Sequence, residues 1–461
     1  MKGGNRMTQR NGESPQRVHD ADDAAKEAWG ASQIGPFDYV PKLGFREYWY
    51  PGVWAKQVGK RKPKMATMLN EDVVFFRSGD GSVAALTDWC PHRNARLSLG
   101  VSEFPGTITC PYHGYTFDST GQCVAGLIDS PESPVVAKMK ARHFPTQEFK
   151  GIVFVWMGET DPVPLEEDLP VELTDERNDL YTRMKVWETN WTEPVNQGVD
   201  FHEGYLHRKQ FAALGGSRFK FHALFDKSFG FFRERMSFYG GVRVDTEGDN
   251  FYTLNPAAPQ SGPQYHPGVN ASWPQKRWWQ VLKARRRGSG SPVRQSLMGT
   301  PSFQHAGQLP SIIRVFGSGP PVSVHTRWMV PITVDLTRTW TFTIGRRPKT
   351  WLGRLWKNVW YYFWRKPSIV VRTNEWEDLV VFMRDRLRFD LPQKLGPLDT
   401  GVIYFRRHLA RRSRDFQRLG GAHGTVKAPP TRTADEWRAA AAAGLDLDAA
   451  PDNRGVTEAA G

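Results

Sequence analysis

Cys90-Pro-His-Arg-Asn-Ala-Arg-Leu-Ser-Leu-Gly100 and, further on, Cys110-Pro-Tyr-His-Gly-Tyr115 are the stretches on which the fold of this chain turns. They hold two Cys–His pairs, Cys90 with His92 and Cys110 with His113, separated by the seventeen residues Arg93 to Thr109. Each pair sits in a Pro-containing loop after a strand-like run, an arrangement that lets two loops face one another. Thiolates are soft ligands that hold iron or zinc, and imidazole serves both metals. A zinc finger places a C-x₂₋₄-C pair on one arm and its His pair on the other. Here each arm supplies one Cys and one His. That split suits a binuclear cluster in which one iron takes both Cys and the other both His. Cys123, the remaining one of the 3 Cys, lies outside the pattern and reads as a buried side chain that ligates nothing.

Outward from these loops the texture is that of a small antiparallel β domain. Val53-Trp54, Met65 to Leu69, Asp72 to Arg77, Val83 to Leu86, Thr107 to Thr109, Thr116-Phe117 and Gly151 to Trp156 are apolar runs of strand length, punctuated by clusters such as Ser78-Gly-Asp-Gly-Ser82. Residues 1–40 read as a disordered tail and 41–165 as the first domain. Asp161 to Pro170 is acidic and Pro-rich, in the manner of a linker. Residues 170–420 mix a helix at Asn196 to Gln210 with strands at Phe219 to Tyr239, Ser311 to Phe316 and His325 to Ile344. Residues 421–461 form a polar, Ala-rich tail in which Thr433-Ala-Asp-Glu436 has the pattern of a capping box.

The 461 residues are too many for one core and ample for two. A hydrophobic share of 39%, with Trp 18, Phe 27 and Tyr 13, excludes wholesale disorder. No run approaches the length of a transmembrane helix, and Met1 to Arg10 does not read as a secretory leader. Three Cys are too few for a disulfide scaffold, which points to a reducing cytoplasm. Lys+Arg 62 against Asp+Glu 48 leaves a formal charge of +14. Without a nucleic-acid reader motif, that charge is better spent steering an acidic protein partner than binding nucleic acid.

With its C-x-H, its spacer and its C-x-x-H, together with Leu97-Ser-Leu-Gly100 and Cys110-Pro-Tyr-His-Gly-Tyr115, the first half resembles the Rieske family. In that family such loops carry a 2Fe–2S cluster, and the resemblance names Cys90, His92, Cys110 and His113 as its ligands. His ligation raises the potential well above that of an all-Cys cluster. Tyr115 stands where Trp commonly follows the His-Gly of related oxygenases.

The second half contains Asn196-Gln-Gly-Val-Asp-Phe-His-Glu-Gly-Tyr-Leu-His207, with Asn190-Trp191 ahead of it. A His pair five apart is weak alone. In this context it resembles the helix of Rieske non-haem iron oxygenases, in which Asn, Asp and H-x₄-H serve a mononuclear Fe(II). The resemblance implies His202 and His207 as ligands. It takes the carboxylate from Asn374-Glu-Trp-Glu-Asp-Leu-Val-Val381, with Asp378 preferred over Glu377, and Glu375 and Asp385 behind them. Two His and one carboxylate leave a face of the iron open to O₂. The family's bridging Asp falls at Val199 here, with Asp200 adjacent, about 100° away on a regular helix. Asp200 and Asn196 complete the candidate site.

The resemblance implies an α+β multidomain fold: an all-β Rieske domain followed by a helix-grip (START/Bet v1-like) catalytic domain. It implies a terminal oxygenase that takes electrons from a separate ferredoxin or NAD(P)H-dependent reductase and hydroxylates a hydrophobic aromatic or polycyclic substrate, in aromatic hydrocarbon catabolism. No flavin or nicotinamide site is evident in the chain itself, which agrees with an external donor. A cytoplasmic homotrimer, with or without a small β subunit, is the expected assembly. N- or O-demethylation and steroid-type monooxygenation are the alternatives, with a Rieske electron carrier behind them. A basic scaffold holding structural zinc comes last. Leu352, Trp356, Val359 and Phe363 form an apolar stripe expected to pack on the sheet in preference to a membrane surface.

Overall fold

In a computed structural model, residues 40–130, 132–199, 243–247, 250–254, 304–315, 323–366 and 399–415 are described. Their first half is built mainly of strands, with one short helix at Pro134–Lys138: β1 (Trp49–Trp54), β2 (Lys64–Met68), β3 (Glu71–Arg77), β4 (Val83–Thr87), β5 (Ile108–Thr109), β6 (Tyr115–Phe117), β7 (Cys123–Gly126), β8 (His143–Phe144), β9 (Thr146–Phe149) and β10 (Ile152–Trp156). They form three antiparallel sheets, ordered β1-β10-β9, β2-β3-β4-β8 and β5-β6-β7. Every strand named from apolar runs is present. The β2–β3 hairpin closes through Leu69 and Asn70, both at positive φ, the signature of a turn whose twist matches its strands.

The second half is a seven-stranded antiparallel sheet among the described residues. It comprises β11 (Asn178–Trp187), β12 (Arg243–Glu247), β13 (Asn250–Leu254), β14 (Gln304–Gln308), β15 (Ile312–Val315), β16 (Ser323–Thr333) and β17 (Leu336–Arg346), ordered β11-β17-β16-β15-β14-β13-β12. The run His325 to Ile344, read as strand, forms two strands joined at Val334-Asp335. On one face lie α1 (Thr192–Val199) and α3 (Thr400–Arg412), in contact with each other. The mixed α+β architecture and the grip of helices on a sheet are as expected. The α1 helix begins before Asn196; its expected continuation beyond Val199, the strands at 219–239 and the capping box at 433–436 lie outside the described residues.

Both faces of this sheet are covered, and its period-2 alternation shows how. Trp328, Trp340, Phe342 and Ile344 turn to the first half, where Trp340 meets Trp54 (centroids 4.7 Å) and Trp328 meets Phe154 (5.6 Å). The opposite face carries the row Gly307, Ile313, Arg327 and Thr341, paired across the strands, with Thr339 and Thr343 beside it. The Gly307 and Ile313 end of that row meets the helices. Gly198 and Gly307 let them come close: a methyl on Gly198 would overlap the Ile313 side chain, and one on Gly307 the Phe405 ring.

The two halves are tied by polar contacts of their own. Leu69 N–H donates to Pro331 O at 2.7 Å, Asn70 N–H to Ile332 O at 2.9 Å, and Arg338, fully buried, donates to Thr67 O at 3.0 Å. The stretch Asp161 to Pro170, read from composition as a linker, is packed instead. Leu165, Asp168 and Leu169 are buried, and Asp168 accepts both guanidinium nitrogens of Arg414 (2.6 and 3.1 Å). Composition reports its prolines and acids but not its partners.

Candidate metal centres

Cys90 and Cys110 lie at the head of two loops of the same construction. In the first, Cys90 N–H donates to Ala95 O (2.8 Å) and Asn94 N–H to Cys90 O (2.9 Å), with Asn94 at φ +55°. In the second, Cys110 N–H donates to Tyr115 O (2.8 Å) and Gly114 N–H to Cys110 O (3.1 Å), with Gly114 at φ +68°. Each is a Cys-Pro opening closed by a left-handed residue four positions on. Both prolines are suited to such a turn because their fixed φ pre-sets it. The His comes two residues after the first Cys and three after the second, so the common plan does not show in the spacing.

The structure brings all four expected donors together. The two thiols are buried and within hydrogen-bonding reach, so the Cys90 S–H stabilises a Cys110 thiolate and holds Cys110 down to about 6, while Cys90 is raised. The imidazoles of His92 and His113 are half-buried with ring centroids 4.7 Å apart and planes at 76°. Partial burial lowers the pKa of His113, with His92 and Arg93 adding to it, which favours the neutral ring that ligates a metal. A thiol pair beside an imidazole pair fits two irons, not one zinc.

Spacing could not reveal the groups that hold these loops. Arg96, buried, donates to Asp88 Oδ2 at 2.8 Å and to Asp72 Oδ2 at 3.1 Å, and its guanidinium lies over the Trp89 ring at 4.2 Å. Ser98 N–H and hydroxyl also donate to Asp88 (2.6 and 2.9 Å). Burial nonetheless pushes the Asp88 carboxyl up to about 6. The Tyr115 ring lies 4.8 Å from His92, and its hydroxyl donates to Asp129 at 3.1 Å. Cys123 is buried, as read from the sequence, with its thiol toward Ala125 O (3.5 Å).

Of the second expected centre, Asn196 is described, and Asp200, His202, His207 and Asp378 lie outside the described residues, as do Glu375, Glu377 and Asp385. The α1 helix is seated by the residues ahead of it. Asn190 Oδ1 accepts from Thr192 N–H (3.1 Å) and hydroxyl (2.8 Å), while its amide donates to Lys42 O (2.9 Å) and Val334 O (2.6 Å). Trp191 is fully buried, with its indole N–H on Pro41 O at 2.8 Å. Asn196 accepts from Arg406 Nε at 3.1 Å and donates to Glu193 Oε1 at 3.3 Å. Burial raises Glu193 and lowers Arg406. Val199, where the family places an Asp, is wholly buried.

Comparison with known proteins agrees with this geometry. Residues 48–137 match the family described as Rieske [2Fe-2S] domain. The chain is 33% identical over 168 residues to the terminal oxygenase component of carbazole 1,9a-dioxygenase from Metapseudomonas resinovorans, a match covering 36% of this chain and 44% of that one. Sequence similarity thus spans less than half the length of this relative. The fold match is wider. The terminal oxygenase of carbazole 1,9a-dioxygenase from Novosphingobium sp. KA1 superposes with a TM-score of 0.61 at 22% identity, over 86% of this chain and 98% of that one. A carbazole-bound variant oxygenase in a ferredoxin complex of carbazole 1,9a-dioxygenase gives 0.62 at 21% identity, over 88% and 98%.

Proposed function

We propose that this chain is a terminal oxygenase component of the Rieske oxygenase alpha-subunit family, which hydroxylates an aromatic substrate with O₂; its matched Rieske domain, its relatives and the fold it shares with solved terminal oxygenases support this reading. The observation that carries this reading is the pairing of two thiols and two imidazoles by twin loops in front of a helix-bearing sheet. In this reading Cys90 and Cys110 hold one iron of a 2Fe–2S cluster and His92 and His113 the other. His202, His207 and Asp378 hold the mononuclear Fe(II), with Asp200 as the relay between centres. When bound, the cluster supplies single electrons and the mononuclear iron a site for O₂.

The chain's own residues supply order around those groups. Arg96 and its two carboxylates fix the first loop, and the Tyr115–Asp129 pair holds a ring against His92. Arg406 and Glu193 orient the Asn196 amide within α1. The strands against α1 are β14 and β15, where Gly198 meets the Ile313 side chain, and Arg327 and Thr341 stand further along the same face. The Phe-rich segment 219–239 is proposed as a source of apolar lining for a ring substrate.

Electrons come from an acidic ferredoxin, itself served by a reductase, and the oxygenase works as a homotrimer in a reducing cytoplasm. Fold similarity to an oxygenase solved with a ferredoxin, together with the +14 charge, supports the partner. The competing reading is an electron carrier without oxygenase activity. Metal analysis of anaerobically purified protein separates the two. About three iron and about two sulfide per chain, with a Rieske-type EPR signal on reduction, is expected of the oxygenase. So is substrate-dependent O₂ uptake that a His202→Ala variant loses while keeping that signal. About two iron and two sulfide on a fully loaded preparation, with no O₂ uptake, would establish the carrier.

A further inference from the structure

The helix α2 (Trp351–Trp360) and the turn that continues it, Tyr361–Arg365, are inside out. Toward the sheet they present polar groups. Lys357, 8% exposed, donates to Asp179 Oδ2, Gly345 O and Arg346 O, each at 2.9 Å. One turn on, Tyr361 stacks on Tyr181 (centroids 3.7 Å, planes 13° apart), and the Tyr181 hydroxyl donates to Asn358 Oδ1 at 2.6 Å. Away from the protein they present Trp351, Leu352, Leu355, Trp356, Tyr362 and Phe363, all exposed, with Trp351 at 70%, Trp356 at 71% and Phe363 at 80%. On a helical wheel of 100° per residue these six fall within an arc of about 140°. The sequence places an apolar stripe here and leads one to expect it on the sheet. The stripe exists, and it points the other way.

A surface helix buries its apolar stripe against its own core; one that does not is covered by something else. The charge around this stripe says by what. Residues 346–374 contain eight Lys or Arg and no Asp or Glu. Lys349, Arg354 and Lys366 are exposed at its rim, and Lys366 Nζ sits over the Tyr362 ring at 5.7 Å. Beside the helix a recess of about 420 Å³ is lined by Lys150, Arg347 and Arg354 and by Asp179, which pairs with Arg347 and Lys357. A second copy seated here would bring its own net charge of +14 against this cationic rim. Trp and Tyr among aliphatic side chains, ringed by Lys and Arg, is the composition of helices that lie in the headgroup region of an anionic bilayer. No described helix is long and apolar enough to cross a membrane, and fifteen residues at about 1.5 Å each fall short of the hydrocarbon thickness.

We propose that this face docks the protein, by α2 and its turn, on the surface of an anionic phospholipid bilayer. The test is co-flotation of the full-length protein with vesicles of phosphatidylcholine alone or mixed with phosphatidylglycerol, run beside analytical ultracentrifugation. Binding at least about tenfold stronger to the mixed vesicles is expected, as several cations near an anionic surface would give. Trp356→Ser with Phe363→Ser should lose most of that binding with unchanged melting, because both side chains are exposed. Lys349→Glu with Arg354→Glu should remove the preference for anionic vesicles. Absent binding to the mixed vesicles, or binding that the double Ser variant retains, would overturn the proposal. An oligomer of the wild type that the double Ser variant dissociates would overturn it too, by showing that a second copy covers the face.

Discussion

Gly114 has no room for a side chain, and the reason is local. Its φ of +68° is one that L residues rarely adopt, and a methyl there would stand 2.8 Å from Leu127 Cβ. Asn94 occupies the same place in the twin loop at φ +55°, with its side chain exposed. Asn tolerates that conformation and Ala does not. Gly114→Ala should therefore cost about 1–2 kcal/mol or more and lower the bound iron and sulfide per chain. Asn94→Gly should change stability by only a few tenths of a kcal/mol and leave cluster content intact. Thermal melting and sulfide analysis of the two variants check this, and equal cluster content in both would refute the twin-loop account. The four donors themselves were legible because Cys is scarce here and each of Cys90 and Cys110 has a His close behind it. Arg96 was not, since its carboxylates at positions 72 and 88 meet it only after β3 and β4 have paired.

Between elements, legibility divides along what periodicity can report. Strand-length runs in the first half became strands, because short alternating segments between Gly-rich turns have few other ways to satisfy their backbone. Periodicity also found the stripe on α2, but it reveals that a helix has an apolar face and not which neighbour that face meets. The grip of α1 and α3 on the sheet depends instead on two glycines that nothing in the sequence marks as special. Gly198 is the sharper case, because the Ile313 side chain occupies the space its Cβ would need. Gly198→Ala should destabilise the protein by roughly 1–3 kcal/mol through overpacking, despite the higher helix propensity of Ala. Ile313→Ala alone should also be destabilising, by opening a cavity. Combined, the two changes should cost clearly less than their sum, since the added methyl enters the space Ile313 vacates. Denaturant titration of the three variants measures that coupling, and simple additivity would contradict the packing described.

The whole molecule is closed by the residues that follow α3. Arg414 forks onto Asp168, its main-chain N–H donates to the Tyr48 hydroxyl at 2.9 Å, and Asp415 accepts from the main-chain N–H groups of Arg46 (2.7 Å) and Glu47 (3.0 Å). The end of the second half is thereby fastened to the start of the first. Asp415 is buried for this role, and its desolvation outweighs the two hydrogen bonds, pushing its carboxyl up to about 6. The folded state thus binds this proton more tightly than the unfolded chain, where an Asp titrates near about 3.9. Its stabilising contribution is complete below that lower value and is lost as pH rises through about 6. The two values differ by an amount worth on the order of 3 kcal/mol. Asp415→Asn cannot titrate and gives up one acceptor, a loss that does not vary with pH. Stability of the wild type minus that of the variant should therefore fall by up to about 3 kcal/mol between pH 4 and pH 7, as the wild-type carboxyl is forced to ionise. Denaturant unfolding across that range gives the difference directly, with the many groups common to both proteins cancelling. Parallel profiles would mean that the Asp415 carboxylate is fully compensated where it lies, and that the clasp holds the two halves together equally well on either side of its titration.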